Sequence, residues 1–218
     1  MLKEEAEWIS SQLDYLEKEN ILIYPVANIG SSDESHYELQ PWIKTLSEKI
    51  KSNGIIKNID IKDTESVDLV GDLLDDNFIN DLKKEKFQLL ICANVLTNIA
   101  DKDKFAKSLI ELMPTNSILM VSVSNRYPYV ADPVDTLYRP TPEELCELFP
   151  STEILNASLV SSDSFVKHLW QDKKAFFITF FRLFVPFYKP KTWWNLVKYL
   201  PKIHKPVRAS CALLKKAK

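Results

Sequence analysis

The sequence has 218 residues, 45% hydrophobic and 27% charged, the balance of one α/β domain with a sizeable core. It excludes a disordered chain, a collagen and a disulfide-bonded miniprotein, and no run approaches the ~18 apolar residues of a membrane-spanning helix. The net charge of −2 conceals a split: residues 173–218 carry 12 Lys/Arg and no acid, so residues 1–172 hold 16 Lys/Arg against 30 Asp/Glu, a net −14.

Residues 3–19 form an amphipathic pattern, with Trp8, Ile9, Leu13 and Leu16 at helical spacing. The apolar run 21–30 follows, read as a buried strand that starts late because Pro25 has no N–H for a central ladder. It runs into the polar turn Ser31 to Ser35. Residues 37–52 are again helical, and Asn53-Gly54 is a stop signal. Strand 55–61, a short edge segment 67–72 and a brief helix 77–84 continue the alternation. Residues 87–94 and 117–123 are almost continuously apolar, as in strands buried on both faces of a parallel sheet. Helix 101–112 lies between them. A loop of Tyr, Pro and Asp spans 125–140. Thr141, Pro142 and Glu144 then open a helix as N-cap, first-turn proline and capping-box partner.

Strand 152–160 closes a core of residues 1–163. An aromatic and basic insertion follows over 164–206, and a final strand lies in 207–218, centred on Ala209 to Leu214. Strands alternating with helices predict a mostly parallel sheet with helices on both faces and ligands at the carboxyl ends of the strands. The three cysteines, Cys92, Cys146 and Cys211, are widely spaced, with neither a disulfide framework nor a zinc pattern. Those on strands, Cys92 and Cys211, read as small core residues. The acidic N-terminus lacks an apolar signal core, and a cytoplasmic protein is expected.

The segment Asn28-Ile29-Gly30-Ser31-Ser32-Asp33-Glu34-Ser35-His36-Tyr37 resembles the glycine-rich first motif of class I S-adenosylmethionine-dependent methyltransferases. Asp60 matches the acid that such enzymes place on the ribose hydroxyls. Residues 67–73 resemble the segment whose acid, here Asp72, meets the adenine amino group, and 87–99 resemble the fourth-strand motif. Tyr127-Pro128, residues 132–135 and residues 138–145 look like a subgroup found beside glycan and natural-product biosynthesis enzymes. The resemblance covers about residues 20–160. It implies a Rossmann-like α/β fold, a seven-stranded and mostly parallel sheet with the aromatic helical insertion before the last strand. It also implies S-adenosyl-L-methionine as cofactor, held by Asn28, Gly30, Ser31, Asp60, Ile61, Asp72, Leu73 and Asn94.

The motif departs from the family pattern in keeping only Gly30, with Ser32 and Glu34 at expected glycines. Asn94, Thr97 and Asn98 replace the usual acid and histidine, and Asn116-Ser117 replaces a Gly-Gly turn. Two function classes follow. One is a methyltransferase, with O-methylation of a sugar, glycolipid or secondary metabolite implied by the resemblance. The other is a catalytically silent binding or scaffold module of the same shape.

Methyl transfer needs alignment more than covalent help, and an oxygen acceptor also wants a base within reach. Candidates on the rim are Asp132, Asp135, His36 and Arg139. Against these roles, Asp132 fits a turn, His36 a helix cap, and Asp135 with Arg139 an ion pair four residues apart. The partner expected is a small-molecule or glycan acceptor. Nucleic acid is not expected, because the rest of the chain is acidic. For the insertion, an acceptor lid, a peripheral membrane contact through 173–206 and packing or a homodimer interface stay open.

Overall fold

The computed structural model describes residues 1–30, 40–130, 135–171, 173–187 and 189–217. Helix α1 (Lys3–Lys18) leads to strand β1 (Val26–Ile29), α2 (Pro41–Asn53), β2 (Ile56–Asp60) and β3 (Leu69–Val70). Then come α3 (Asp76–Leu82), β4 (Leu89–Ala93), α4 (Lys102–Leu112), β5 (Ile118–Arg126), α5 (Pro142–Glu147) and β6 (Thr152–Ser164). Three helices, α6 (Phe165–Gln171), α7 (Lys173–Leu183) and α8 (Pro190–Tyr199), precede β7 (Pro206–Lys216).

The seven strands form one sheet in the order β3-β2-β1-β4-β5-β7-β6. Five of them run parallel from β3 to β5, and β7 is antiparallel to both β5 and β6. The expected α/β fold, seven-stranded and mostly parallel, is therefore present. Chain reversal at β7 follows from the insertion, which returns the chain to the sheet from the carboxyl end of β6.

Alternation along the central strands sets the two layers. Val26, Leu89, Ile91, Ile118, Met120 and Leu213 meet Ala6, Ile9, Leu13 and Leu16 of α1 and Leu46 and Ile50 of α2. Their neighbours Ala27, Ile29, Leu90, Cys92, Leu119 and Val121 face α3, α4 and α5 through Ile79, Leu82, Phe105, Leu109 and Leu145. Each large aliphatic side chain buried here contributes roughly 1.5–3 kcal/mol. Packing of this stripe, more than helix propensity, therefore holds α1 in place.

Several local signals act as read. β1 starts at Val26, directly after Pro25. The Thr141 Oγ1 accepts from the Glu144 N–H at 3.2 Å, and Glu144 accepts from the Thr141 N–H at 2.8 Å. Asn116 takes the left-handed φ of 68° that the turn before β5 requires. All three cysteines are buried and free, and burial pushes the Cys92 thiol up to about 12.

Other boundaries move. α2 begins at Pro41, not residue 37; residues 37–39 lie outside the described residues. Gly54 ends the helix with an extended backbone, not the left-handed turn of a usual glycine stop. β5 runs on to Arg126, into the expected loop, while β6 extends to Ser164 and β7 begins at Pro206. These strands lengthen because they pair with one another along almost their full length, which supports polar outer halves that carry no apolar signal. Among the described residues, no helix is long and apolar enough to cross a membrane.

Candidate functional site

The parallel strands bring their carboxyl ends to one edge of the sheet, so Gly30, Asp60, Asp72, Asn94 and Tyr127 all follow or close strands at that edge. Gly30 closes β1 at φ 73°, and its N–H donates to the Ile59 carbonyl at 2.9 Å. A Cβ there would lie 2.3 Å from Cγ2 of Val95, so only glycine fits both the backbone and the neighbour.

Asp60 ends β2, and Asp72 follows β3. The Gly71 N–H donates to the Asp60 carbonyl at 3.0 Å, tying the two strand ends together. Each carboxylate accepts one backbone N–H two residues on: Lys62 to Asp60 at 2.9 Å and Leu74 to Asp72 at 2.8 Å. Such short turns restrain the side chains and use only part of each carboxylate's acceptor capacity. Asp60 is half-buried, and Asp72 is exposed. Ile61 is exposed beside Asp60, whereas the Leu73 side chain is buried in the core and only its backbone is available to a ligand.

Asn28 and Asn94 are placed otherwise than expected. The Asn28 amide donates to Asn58 Oδ1 at 2.9 Å across the β1–β2 pair, and Asn58 donates in turn to the Ser66 carbonyl at 2.8 Å. Asn94 has φ 60°, and its Nδ2 donates to Glu5 Oε1 at 2.7 Å while its Oδ1 accepts from Ser124 at 3.2 Å. Both side chains brace strand ends through these bonds, a role the sequence reading did not give them.

Glu5 is the residue the sequence reading missed. It is 1% exposed, yet its carboxyl group accepts from Asn94, from the Ser122 hydroxyl and from the Leu2 N–H. The contacts with Asn94 and Ser122 pin α1 over the end of β4 and the middle of β5. A signal existed: Glu5 and Gln12 fall on the same stripe as Ile9, Leu13 and Leu16, where a charged or amide side chain needs a partner.

Asp135 and Arg139 form a two-pronged ion pair, with both guanidinium Nη atoms donating to the two carboxylate oxygens. The N–H groups of Val130 and Leu137 also donate to Asp135, at 3.2 and 2.7 Å. Burial acts to raise this carboxyl's pKa, but the Arg139 hydrogen bonds and charge, with the two backbone donors, outweigh it and hold the group below the usual carboxylate range. Four donors occupy the carboxylate, and a guanidinium does not give up its proton. The pair therefore fixes the loop before α5, the ion-pair reading that the four-residue spacing offered. Ser31, His36 and Asp132 lie outside the described residues.

Beyond the end of β5, a cavity of about 280 Å³ opens between the strand-end loop and the insertion. Tyr127, Tyr129 and Phe165 form its aromatic side, and Thr179, Arg182, Thr192 and Leu196 of α7 and α8 close it. The Lys191 ammonium sits over the Tyr129 ring, 5.6 Å from its centroid. The described lining contains a guanidinium and no carboxylate.

No family model and no curated protein sequence is similar enough to match the chain. Solved structures do match in shape. Coclaurine N-methyltransferase bound to N-methylheliamine and SAH superposes with a TM-score of 0.58 at 11% identity, covering 95% of this chain and 72% of that one. The N-methyltransferase NodS from Bradyrhizobium japonicum WM9, in complex with S-adenosyl-L-homocysteine, gives 0.53 at 11% identity over 97% and 87%. The chain has the methyltransferase fold. That fold does not by itself decide the chemistry: the [4+2]-cyclase SpnF matches as well, with a TM-score of 0.52 at 14% identity over 88% and 74%.

Proposed function

We propose that this chain is an S-adenosylmethionine-dependent methyltransferase whose acceptor is an oxygen of a small molecule or glycan. The observation that carries the reading is the row formed by Gly30, Asp60 and Asp72 along one sheet edge, beside an aromatic cavity large enough for a ring-sized acceptor. The residues fit the cofactor in kind. Asp60 has the acceptor oxygens for a ribose diol, Asp72 those for an adenine amino group, and Gly30 keeps side-chain bulk away from the turn. When bound, S-adenosylmethionine supplies a methyl group already activated by its sulfonium, so the protein's part is alignment and exclusion of water.

The cavity's charge favours oxygen over nitrogen. A protonated amine entering it would meet Arg182 without a described carboxylate to offset the repulsion, whereas a hydroxyl or carboxylate would meet a donor. Tyr127, Tyr129 and Phe165 give faces for a sugar or aromatic ring, and the hydroxyls of Thr179 and Thr192 give polar handles.

Incubation with methyl-labelled S-adenosylmethionine and matched hydroxyl and amine acceptors tests this directly. Label is expected on oxygen, with Arg182→Gln lowering kcat/KM for anionic acceptors roughly tenfold, the size of one lost charged hydrogen bond. Label on nitrogen overturns the oxygen assignment. Failure to label any acceptor, in a chain that still binds the cofactor product, makes the protein a binding module.

A further inference from the structure

We propose that the outer face of the α7–α8 insertion docks on an anionic membrane surface. Thr179 and Arg182 of α7 and Thr192 and Leu196 of α8 line the cavity, and several aromatic side chains of the same segment are exposed away from that lining. Phe177 is 56% exposed, Phe181 62%, Phe184 68% and Phe187, in the turn after α7, 93%. Ile178, Phe180, Val185 and Trp194 are exposed beside them, as is Trp170 of α6. Isolated exposed apolar residues are ordinary, but nine of them between residues 170 and 194 make an interaction surface.

The rings are held in place. Phe180 stacks on Phe176 with centroids 6.3 Å apart, Phe184 meets Phe180 edge-to-face at 5.2 Å, and Trp170 stacks on Phe176 at 4.6 Å. The array is therefore preorganised, which lowers the entropy lost on insertion into an interface.

Charge decides the occupant. Residues 173–218, which hold α7, α8 and the final strand, carry 12 Lys/Arg and no acid, while residues 1–172 have a net charge of −14. Lys189, Lys191, Lys198, Lys202 and Lys205 are all exposed. Aromatic and aliphatic side chains that enter the headgroup boundary, ringed by lysines that meet anionic lipid, are the chemistry of a surface-bound helix. A second copy fits less well. Twofold contact through the same apolar face would set one lysine ring against the other without a carboxylate between them. Docking of this kind does not depend on what the strand-end crevice binds.

The test uses the whole chain with phosphatidylcholine vesicles, with and without phosphatidylglycerol. Binding is expected only to the anionic vesicles, weakening as salt rises, with tryptophan emission shifting to the blue. Phe181→Ser with Phe184→Ser, both at exposed positions, is expected to cut vesicle affinity at least tenfold while circular dichroism stays unchanged. Lys202→Gln with Lys205→Gln is expected to cut it roughly twentyfold, at about fivefold per lysine. Indifference of the wild-type chain to both vesicles overturns the proposal, and so does equal binding to neutral and anionic vesicles. So does a dimer that Phe181→Ser dissolves in a chain that ignores lipid, which would assign the face to a second copy.

Discussion

Asp135→Ala is expected to lower the unfolding free energy by about 3–5 kcal/mol, the usual cost of leaving one member of a buried ion pair behind. Arg139 would lose both of its carboxylate contacts, and its Nε is already buried without a partner among the described residues. The Val130 and Leu137 N–H groups would lose their acceptor as well, and Leu137 sits at a left-handed φ of 61° that the carboxylate holds in place. Urea unfolding followed by tryptophan fluorescence should show a lower midpoint with an unchanged slope. The double variant Asp135→Ala with Arg139→Met should recover part of the loss, since the stranded charge is gone. The pH dependence has a definite sign. The folded carboxyl titrates below its ordinary value, so its contribution is fully present above the unfolded-state pKa and is lost as pH falls through the lower, folded-state value. The gap between wild type and Asp135→Ala should therefore narrow on acidification below the usual aspartate range. A gap under 0.5 kcal/mol at neutral pH, on the order of a surface substitution, would contradict the structural role.

Glu5→Ala should be nearly as costly, about 2–4 kcal/mol, because the Asn94 amide, the Ser122 hydroxyl and the Leu2 N–H lose a shared acceptor. Asn94 follows β4 and is half-buried, and Ser122, in the middle of β5, is 2% exposed. Glu5→Gln, which keeps one carbonyl oxygen, should cost less than half as much. The same unfolding measurement checks both variants. Equal stability for Glu5→Ala and wild type would mean that α1 is held by its apolar stripe alone.

What was legible in the sequence divides along physical lines. Strands β4 and β5 announce themselves because both faces are buried and nearly every residue is apolar. Helix α5 announces itself through a capping box, which is local chemistry. The Asp135–Arg139 spacing suggested an ion pair, and only coordinates could show that two backbone N–H groups use up the remaining carboxylate lone pairs. The lengths of β6 and β7 were not legible, since Ser161 to Ser164 carry no apolar signal and become strand through long-range pairing. Nor was the Glu5–Asn94 contact, which joins residues 89 apart. Asp60 and Asp72 were picked out by resemblance alone; the structure puts one at the end of β2 and the other just after β3. The aromatic cavity was foreshadowed only as composition, since its lining draws on the β5 end and three helices far apart in sequence.

Calorimetric titration with S-adenosylhomocysteine, comparing the wild-type chain with Asp60→Asn, bears most directly on the strand-end crevice. Wild type is expected to bind in the micromolar to millimolar range, and Asp60→Asn to bind roughly 10- to 100-fold more weakly, the worth of a charged hydrogen bond to the diol. Absence of heat from the wild-type chain at millimolar ligand, or equal affinity in the two proteins, would contradict the assignment of the crevice to an adenosyl cofactor.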